Sequence, residues 1–291
     1  MKVDLVANEQ AILGECPIWC DRSYSLWWTD IEGSRLHRKN TLTSTIDTWK
    51  TPDRVASFAL TQDANRLILG FASGIGIFDL ARSELVNGLI PVESEQPATR
   101  INDGRCDAEG RFVFGMFNQV SSAALGGFYR VHSDLSVERL KLPAAAVANS
   151  IAFSPDGRRI YFTDSPQRRI WCAKYEASGK IGAVEVFADL SSEQGVPDGS
   201  CVDAEGGLWN AQWDGSCLIR FDASGRITHR VALPVTRPTC PAIGGKKFDR
   251  LYVTSARVGL NEHQLHAQPL AGAILSFSPD VPGQPERRFG V

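Results

Sequence analysis

The stretch NSIAFSPDGRRIYFTD at 149–164 decides the fold. It reads as a short apolar strand, a Pro-Asp-Gly turn and a second apolar and aromatic strand, which is the pattern of a β-hairpin. The same unit recurs as DGSCVDAEGGLWNAQ at 198–212 and as NDGRCDAEGRFVFG at 102–115, each turning on Asp-x-x-Gly. SFALTQDANRLILG at 57–70 is a fourth copy, ECPIWCDRSYSLWWTD at 15–30 a more divergent fifth, and CPAIGGKKFDRLYVT at 240–254 a sixth.

Each hairpin is followed by a further short strand pair, as in GIGIFDL, GGFYRVH, RRIWCAKYE and SCLIRFD. Such a unit holds about four strands and repeats roughly every 45 residues, which is what one propeller blade requires. No apolar pattern is sustained at helical spacing, so an α/β arrangement is disfavoured. The expected fold is all-β: a six-bladed β-propeller with four antiparallel strands per blade, forming a single domain over residues 1–291. KVDLVA at 2–7 is a lone strand before the first unit, and AGAILSFSP at 271–279 ends the sixth. Strands from both chain ends are therefore expected to share one blade and close the ring.

The chain has 291 residues, of which 43% are hydrophobic and 22% charged, enough to build a sizeable core. A formal net charge of -2 argues against a protein that neutralises many phosphates, so no nucleic-acid partner is expected. No long apolar run and no leader pattern occur, which points to a cytoplasmic protein without a membrane partner. The seven cysteines are Cys16, Cys20, Cys106, Cys172, Cys201, Cys217 and Cys240. Their odd number and irregular spacing argue for buried reduced thiols rather than a disulfide framework or zinc ribbon.

In a propeller the start of each unit's first strand lies beside the central channel. The repeat places Glu15, Ser57, Asn102, Asn149, Asp198 and Cys240 there. Asn and Asp are also ordinary turn residues, but Glu, Asn, Asn and Asp together form a set of hard oxygen donors suited to a divalent cation.

The same residues carry a family resemblance. LGECPIW at 13–19, RINDGRCDAEGR at 100–111, NSIAFSPDG at 149–157 and PDGSCVDAEG at 197–206 resemble, in order, the signatures of the SMP-30/gluconolactonase/regucalcin family. RPTCPAIGG and LYVTSAR further on are similar to that family too. The resemblance implies a six-bladed propeller with one divalent metal in its channel, held by Glu15, Asn149 and Asp198. It further implies substrate contacts from Arg100 and Asn102, a catalytic role for Asp198, and hydrolysis of a sugar-acid lactone to the free aldonic acid. The chain departs from the family at Cys16, where many relatives have glycine, and Cys would be strained there if φ is positive. It departs again after Gly115, where Asn118 and Gln119 stand near the place of a substrate-touching carboxylate.

A cation so held acts as a Lewis acid on the lactone carbonyl, with Asp198 or a metal-bound hydroxide as the base. Ca, Zn, Mn, Mg and Fe all remain open as the ion. Asp103 is open between orienting a ligand and shaping a turn. His37, His132, His229, His263 and His266 fall outside the signatures and read as structural or exposed. Trp27 and Trp28 read as blade packing, whereas Trp209 and Trp213 are better placed to line a pocket mouth. Ser150 and Ser200 lie in no nucleophile elbow. The rival readings are a non-enzymatic calcium-binding regulatory propeller, a related promiscuous ester hydrolase and an interaction scaffold. A monomer is expected, with a small sugar lactone as its partner.

Overall fold

Six antiparallel sheets stand around a central channel in the computed structural model, which describes residues 1–86 and 88–290. The strands of blade 1 are Gly14–Cys20, Ser25–Asp30, Arg35–Asn40 and Ile46–Lys50. Blade 2 follows with Val55–Leu60, Arg66–Phe71 and Gly74–Asp79. Its outer position is shared by two short pieces, Glu84–Leu85 and Ile90–Pro91, both paired to Gly74–Asp79. Blade 3 comprises Thr99–Cys106, Phe112–Asn118, Phe128–Val131 and Val137–Arg139, and blade 4 Ala148–Phe153, Arg159–Asp164, Arg169–Tyr175 and Ile181–Asp189. Blade 5 comprises Val196–Val202, Leu208–Trp213, Cys217–Phe221 and Ile227–Ala232. Blade 6 takes Pro238–Gly244, Arg250–Ser255 and Ile274–Phe277 from the C-terminal part, and its outer strand Asp4–Ala7 from the N-terminus. The ring is thus closed by both chain ends, as expected.

The turns explain why the repeats fold alike. In the two Asp-Ala-Glu-Gly turns the aspartate caps its own loop: Asp107 Oδ1 accepts the amides of Glu109 and Arg111, and Asp203 Oδ1 those of Glu205 and Gly207. The closing glycines, Gly110 at φ 74° and Gly206 at φ 81°, occupy the left-handed region that a side chain disfavours.

Both faces of a blade are covered by its neighbours, so six buried clusters fill the six interfaces between adjacent blades. Phe112, Phe114 and Met116 of blade 3 meet Ile68 and Ile75 of blade 2, and Trp19 of blade 1 stacks on Tyr252 of blade 6 at 5.8 Å. All seven cysteines are free, and six of them are buried in this packing, as expected. Trp27 stacks on Trp49 and Trp28 on His37, which bears out their reading as blade packing.

Two features stand outside the repeat. Residues 256–273 link two strands of blade 6 and carry a short helix, Glu262–Ala267, capped by Asn261. Residues 279–290 run across the end of the channel where the inner hairpins turn, touching a turn of every blade. Arg288 meets Asp21, the Phe289 amide donates to Leu60 O at 2.7 Å, and the Gly290 amide to Gly110 O at 2.6 Å. Arg287 reaches Pro155 O at 3.3 Å, Pro282 O accepts from Ala204, and the Gly283 amide donates to Phe248 O. Glu286 points inward and pairs with Arg105 at 2.6 Å. No helix among the described residues is long and apolar enough to cross a membrane.

Candidate functional site

Every inner strand slips register where it reaches the open end of the channel. The breaks fall between Glu15 and Ile18, Val55 and Ser57, Ile101 and Gly104, Asn149 and Ala152, Pro197 and Ser200, and Pro238 and Pro241. A bulge turns successive side chains out of strict alternation and aims them into the channel. The residues aligned from the repeat therefore do not share one register position. Glu15 and Asn149 are the last paired residues before their bulges, whereas Asn102 and Asp198 lie within theirs.

The bulge has a backbone cost. Cys16 sits at φ 47° and Ser150 at φ 57°, so the conformation that glycine would take freely is held here by Cys. Its thiol is buried and directed at Phe58 O, 3.7 Å away.

Glu15, Arg100, Asn102, Asn149 and Asp198 line one cavity of about 370 Å³, together with Phe117, Pro166 and Trp213. Their hydrogen bonds are specific. Asn102 Nδ2 donates to Asn149 Oδ1 at 2.9 Å and to Ala148 O, while Asn149 Nδ2 donates to Ser165 Oγ at 2.9 Å. Arg100 Nη1 donates to Asn102 Oδ1 at 2.7 Å and to Ile101 O, with its guanidinium 4.7 Å over the Phe117 ring. Each amide thus has its oxygen and nitrogen assigned by neighbours, and the Asn149 oxygen is turned to Asn102.

Burial raises the pKa of Glu15, and the charge of Asp103 raises it further. Burial likewise raises Asp198, reinforced by Glu15 and Asp103. Asp103 is pushed up to about 6 by burial, and accepts the Ile151 amide at 2.7 Å. That bond braces the strand beside Asn149, a structural task. Among the described residues none of these three acids forms an ion pair; the cation tempering Glu15 is Arg100. Arg105 beneath them is engaged by Glu286. Mutual repulsion among the three carboxylates disfavours their charged forms while no cation is bound, and oxygen donors converge on the pocket beside Arg100. The residues present fit a hard divalent cation.

Several expectations end elsewhere. Ser57 and Cys240 are buried beside the channel but do not line the cavity. Trp209 is also buried away from it, its Nε1 donating to Asp203, so of the two tryptophans only Trp213 reaches the pocket. Asn118 is spent on its own turn, bonding Ser121 Oγ and Ala123 O, and Gln119 accepts from Arg54. Neither lines the cavity. Phe117 and Pro166 were missed, because an apolar residue in a strand or turn carries no chemical signal in the sequence.

Fold and site define a β-propeller with an acidic, oxygen-lined pocket at one end of its channel. The chain belongs to the SMP-30/gluconolactonase/LRE-like family, whose profile matches residues 13–257. It is 47% identical to an L-arabinolactonase of Azospirillum brasilense, over 98% of this chain and 94% of that one. It is 31% identical to a 6-deoxy-6-sulfogluconolactonase of Pseudomonas putida, over 98% and 97% respectively. The crystal structure of a calcium-binding protein, regucalcin, from Agrobacterium tumefaciens superposes with a TM-score of 0.93 at 30% identity, covering 99% of this chain and 97% of that chain.

Proposed function

We propose that this chain is a lactonase that hydrolyses the ring ester of a sugar-acid lactone, using one divalent cation held by Glu15, Asn149 and Asp198. The observation that carries the reading is the convergence on one cavity of two carboxylates without ion-pair partners and an oriented amide oxygen, beside Arg100 and Asn102. Relatives named as lactonases cover nearly the whole chain, which supports the reaction class.

When bound, the cation supplies Lewis-acid polarisation of the carbonyl to be attacked. The chain's own residues do the rest. Asp198, within its bulge, is placed to accept the proton of the attacking water. Arg100 and Asn102 hold the lactone's oxygens, and their mutual hydrogen bond keeps both in one orientation before substrate arrives. Phe117 and Trp213 exclude bulk water from the cavity wall. The ring of residues 1–291 works as a single domain and a monomer.

The test is to strip metal from the protein and assay proton release from a panel of aldonolactones while Ca, Mg, Mn, Zn and Fe are added back singly. Ion-dependent turnover supports the reading. A second reading, a calcium-binding regulatory propeller, is favoured by the all-oxygen donor set and by the regucalcin likeness. Tight Ca binding with no turnover of any lactone would establish it instead.

A further inference from the structure

Glu15, Asn149 and Asp198 stand on blades 1, 4 and 5, so no single stretch of chain fixes their spacing. Apolar packing between blades is non-directional and does not fix it either. Beside each of the three, however, a polar side chain crosses from the preceding blade. Asn102 Nδ2 of blade 3 donates at 3.0 Å to the carbonyl of Ala148, next to Asn149. Ser150 Oγ of blade 4 donates at 2.5 Å to the carbonyl of Asp198. Thr239 Oγ1 of blade 6 donates at 2.6 Å to the carbonyl of Gly14, next to Glu15. All three donors lie within the bulges of their own inner strands, and all three bonds run the same way around the ring.

The two hydroxyl bonds are buried and backed. Asp198 lies in a bulge, where a carbonyl leaves the strand ladder and needs a partner from elsewhere. Asn210 Nδ2 lies 3.0 Å from both Ser150 Oγ and Asp198 O, and its own Oδ1 accepts from Gln212 Nε2 at 2.5 Å. Thr239 Oγ1 also stands 2.7 Å from Thr254 Oγ1, which donates to Cys240 O at 3.0 Å. Gly14 has no room for a side chain, since an added Cβ would lie 2.8 Å from Ser255 O, so blades 6 and 1 close tightly at this bond. Ser150 holds its place at φ 57°, a conformation unfavourable to any residue but glycine.

Resting on the proposed ligand set, we infer that Ser150 and Thr239 are positioning residues for the divalent cation. Neither lines the cavity, and each acts through backbone. Ser150 ties Asp198 to its own neighbour Asn149, and Thr239 ties the strand that carries Glu15 to blade 6. Without these bonds the three oxygens would range over wider spacings, and binding would have to order them.

The experiment strips metal from the wild type and from Ser150→Ala and Thr239→Val, the latter keeping shape without the hydroxyl, and follows Ca and Mn binding by titration calorimetry. Each variant should raise Kd about tenfold, while the metal-free melting temperature stays within a few degrees of the wild type. Thr239→Ser, which restores the hydroxyl, should bring Kd back close to the wild-type value. Ser150→Gly relieves the positive φ but lacks the hydroxyl, so it should bind as weakly as Ser150→Ala without folding less stably. Wild-type affinity in both Ser150 variants removes Ser150 from the role, and in Thr239→Val removes Thr239; either result leaves the ligand set standing. Equal weakening in Thr239→Ser and Thr239→Val also overturns the role of Thr239, because packing and not the hydroxyl would then be responsible. A wild type that binds none of Ca, Mg, Mn, Zn or Fe overturns the ligand set and this inference with it.

Discussion

At the scale of single residues, the site is a balance of buried charge and strained backbone. Asp198→Asn keeps the shape and removes a negative charge and a proton acceptor. It should abolish lactone turnover while the melting temperature holds or rises, since an unpaired buried carboxylate is lost. Retained turnover in a steady-state assay would remove Asp198 from the mechanism. Gly199, its neighbour, has no room for a methyl group, because an added Cβ would lie 2.4 Å from Cys240 Sγ and 2.9 Å from its Cα. Gly199→Ala should cost about 1–3 kcal/mol in chemical denaturation; a neutral result would mean that the two inner strands can part freely. The acids at 15 and 198 were legible because each stands at the start of its repeat's first strand, although the bulges then set them at different register positions. Cys16 at φ 47° was legible only as a question, since φ is set by the bulge and not by the residue.

At the scale of one element, blade 1 carries a titration of its own. His37 stacks on Trp28 at 5.1 Å and shares a 2.9 Å hydrogen bond with Thr48 Oγ1. Burial lowers its pKa to about 4, with Asp30 opposing and Arg35 assisting. The fold therefore holds His37 neutral, and below the ordinary imidazole value of about 6.5 the unfolded chain takes up a proton that the fold does not. This stability is fully present above that value and is lost as pH falls toward 4, by roughly 2–3 kcal/mol. His37→Phe keeps the stack and should flatten the slope; an unchanged slope in urea titrations between pH 7 and 4.5 would place the acid sensitivity elsewhere. Hairpins of this kind were readable because alternation and Asp-x-x-Gly turns are local signals. The split outer strand of blade 2 and the helix inserted in blade 6 were not, since neither repeats.

At the scale of the whole molecule, the ring is held shut twice. The strand Asp4–Ala7 pairs with Ile274–Phe277, and residues 279–290 cross the far end of the channel. Removing residues 1–7 should expose the edge of blade 6 and lower the melting temperature, with aggregation visible by light scattering. Glu286→Ala should cost about 3–5 kcal/mol, because it strands Arg105 in a buried setting without its partner. Glu286→Gln should recover part of that loss. Equal stability of both variants with the wild type would show the tail to be dispensable.

By itself, the sequence determined the blade count and the closure by both chain ends, and it pointed to the oxygen-bearing residues proposed as donors. These follow from a repeated local pattern, and each copy carries its own turn chemistry and strand alternation. Only the tertiary structure decided which donors share a cavity, that bulges place Glu15 and Asp198 at different register positions, and that Phe117 and Trp213 form its wall. It also decided that residues 279–290 seal the opposite end with Glu286 set against Arg105. The physical reason is common to all of these: they depend on contacts between residues in different blades, and such contacts leave no periodic trace in the chain.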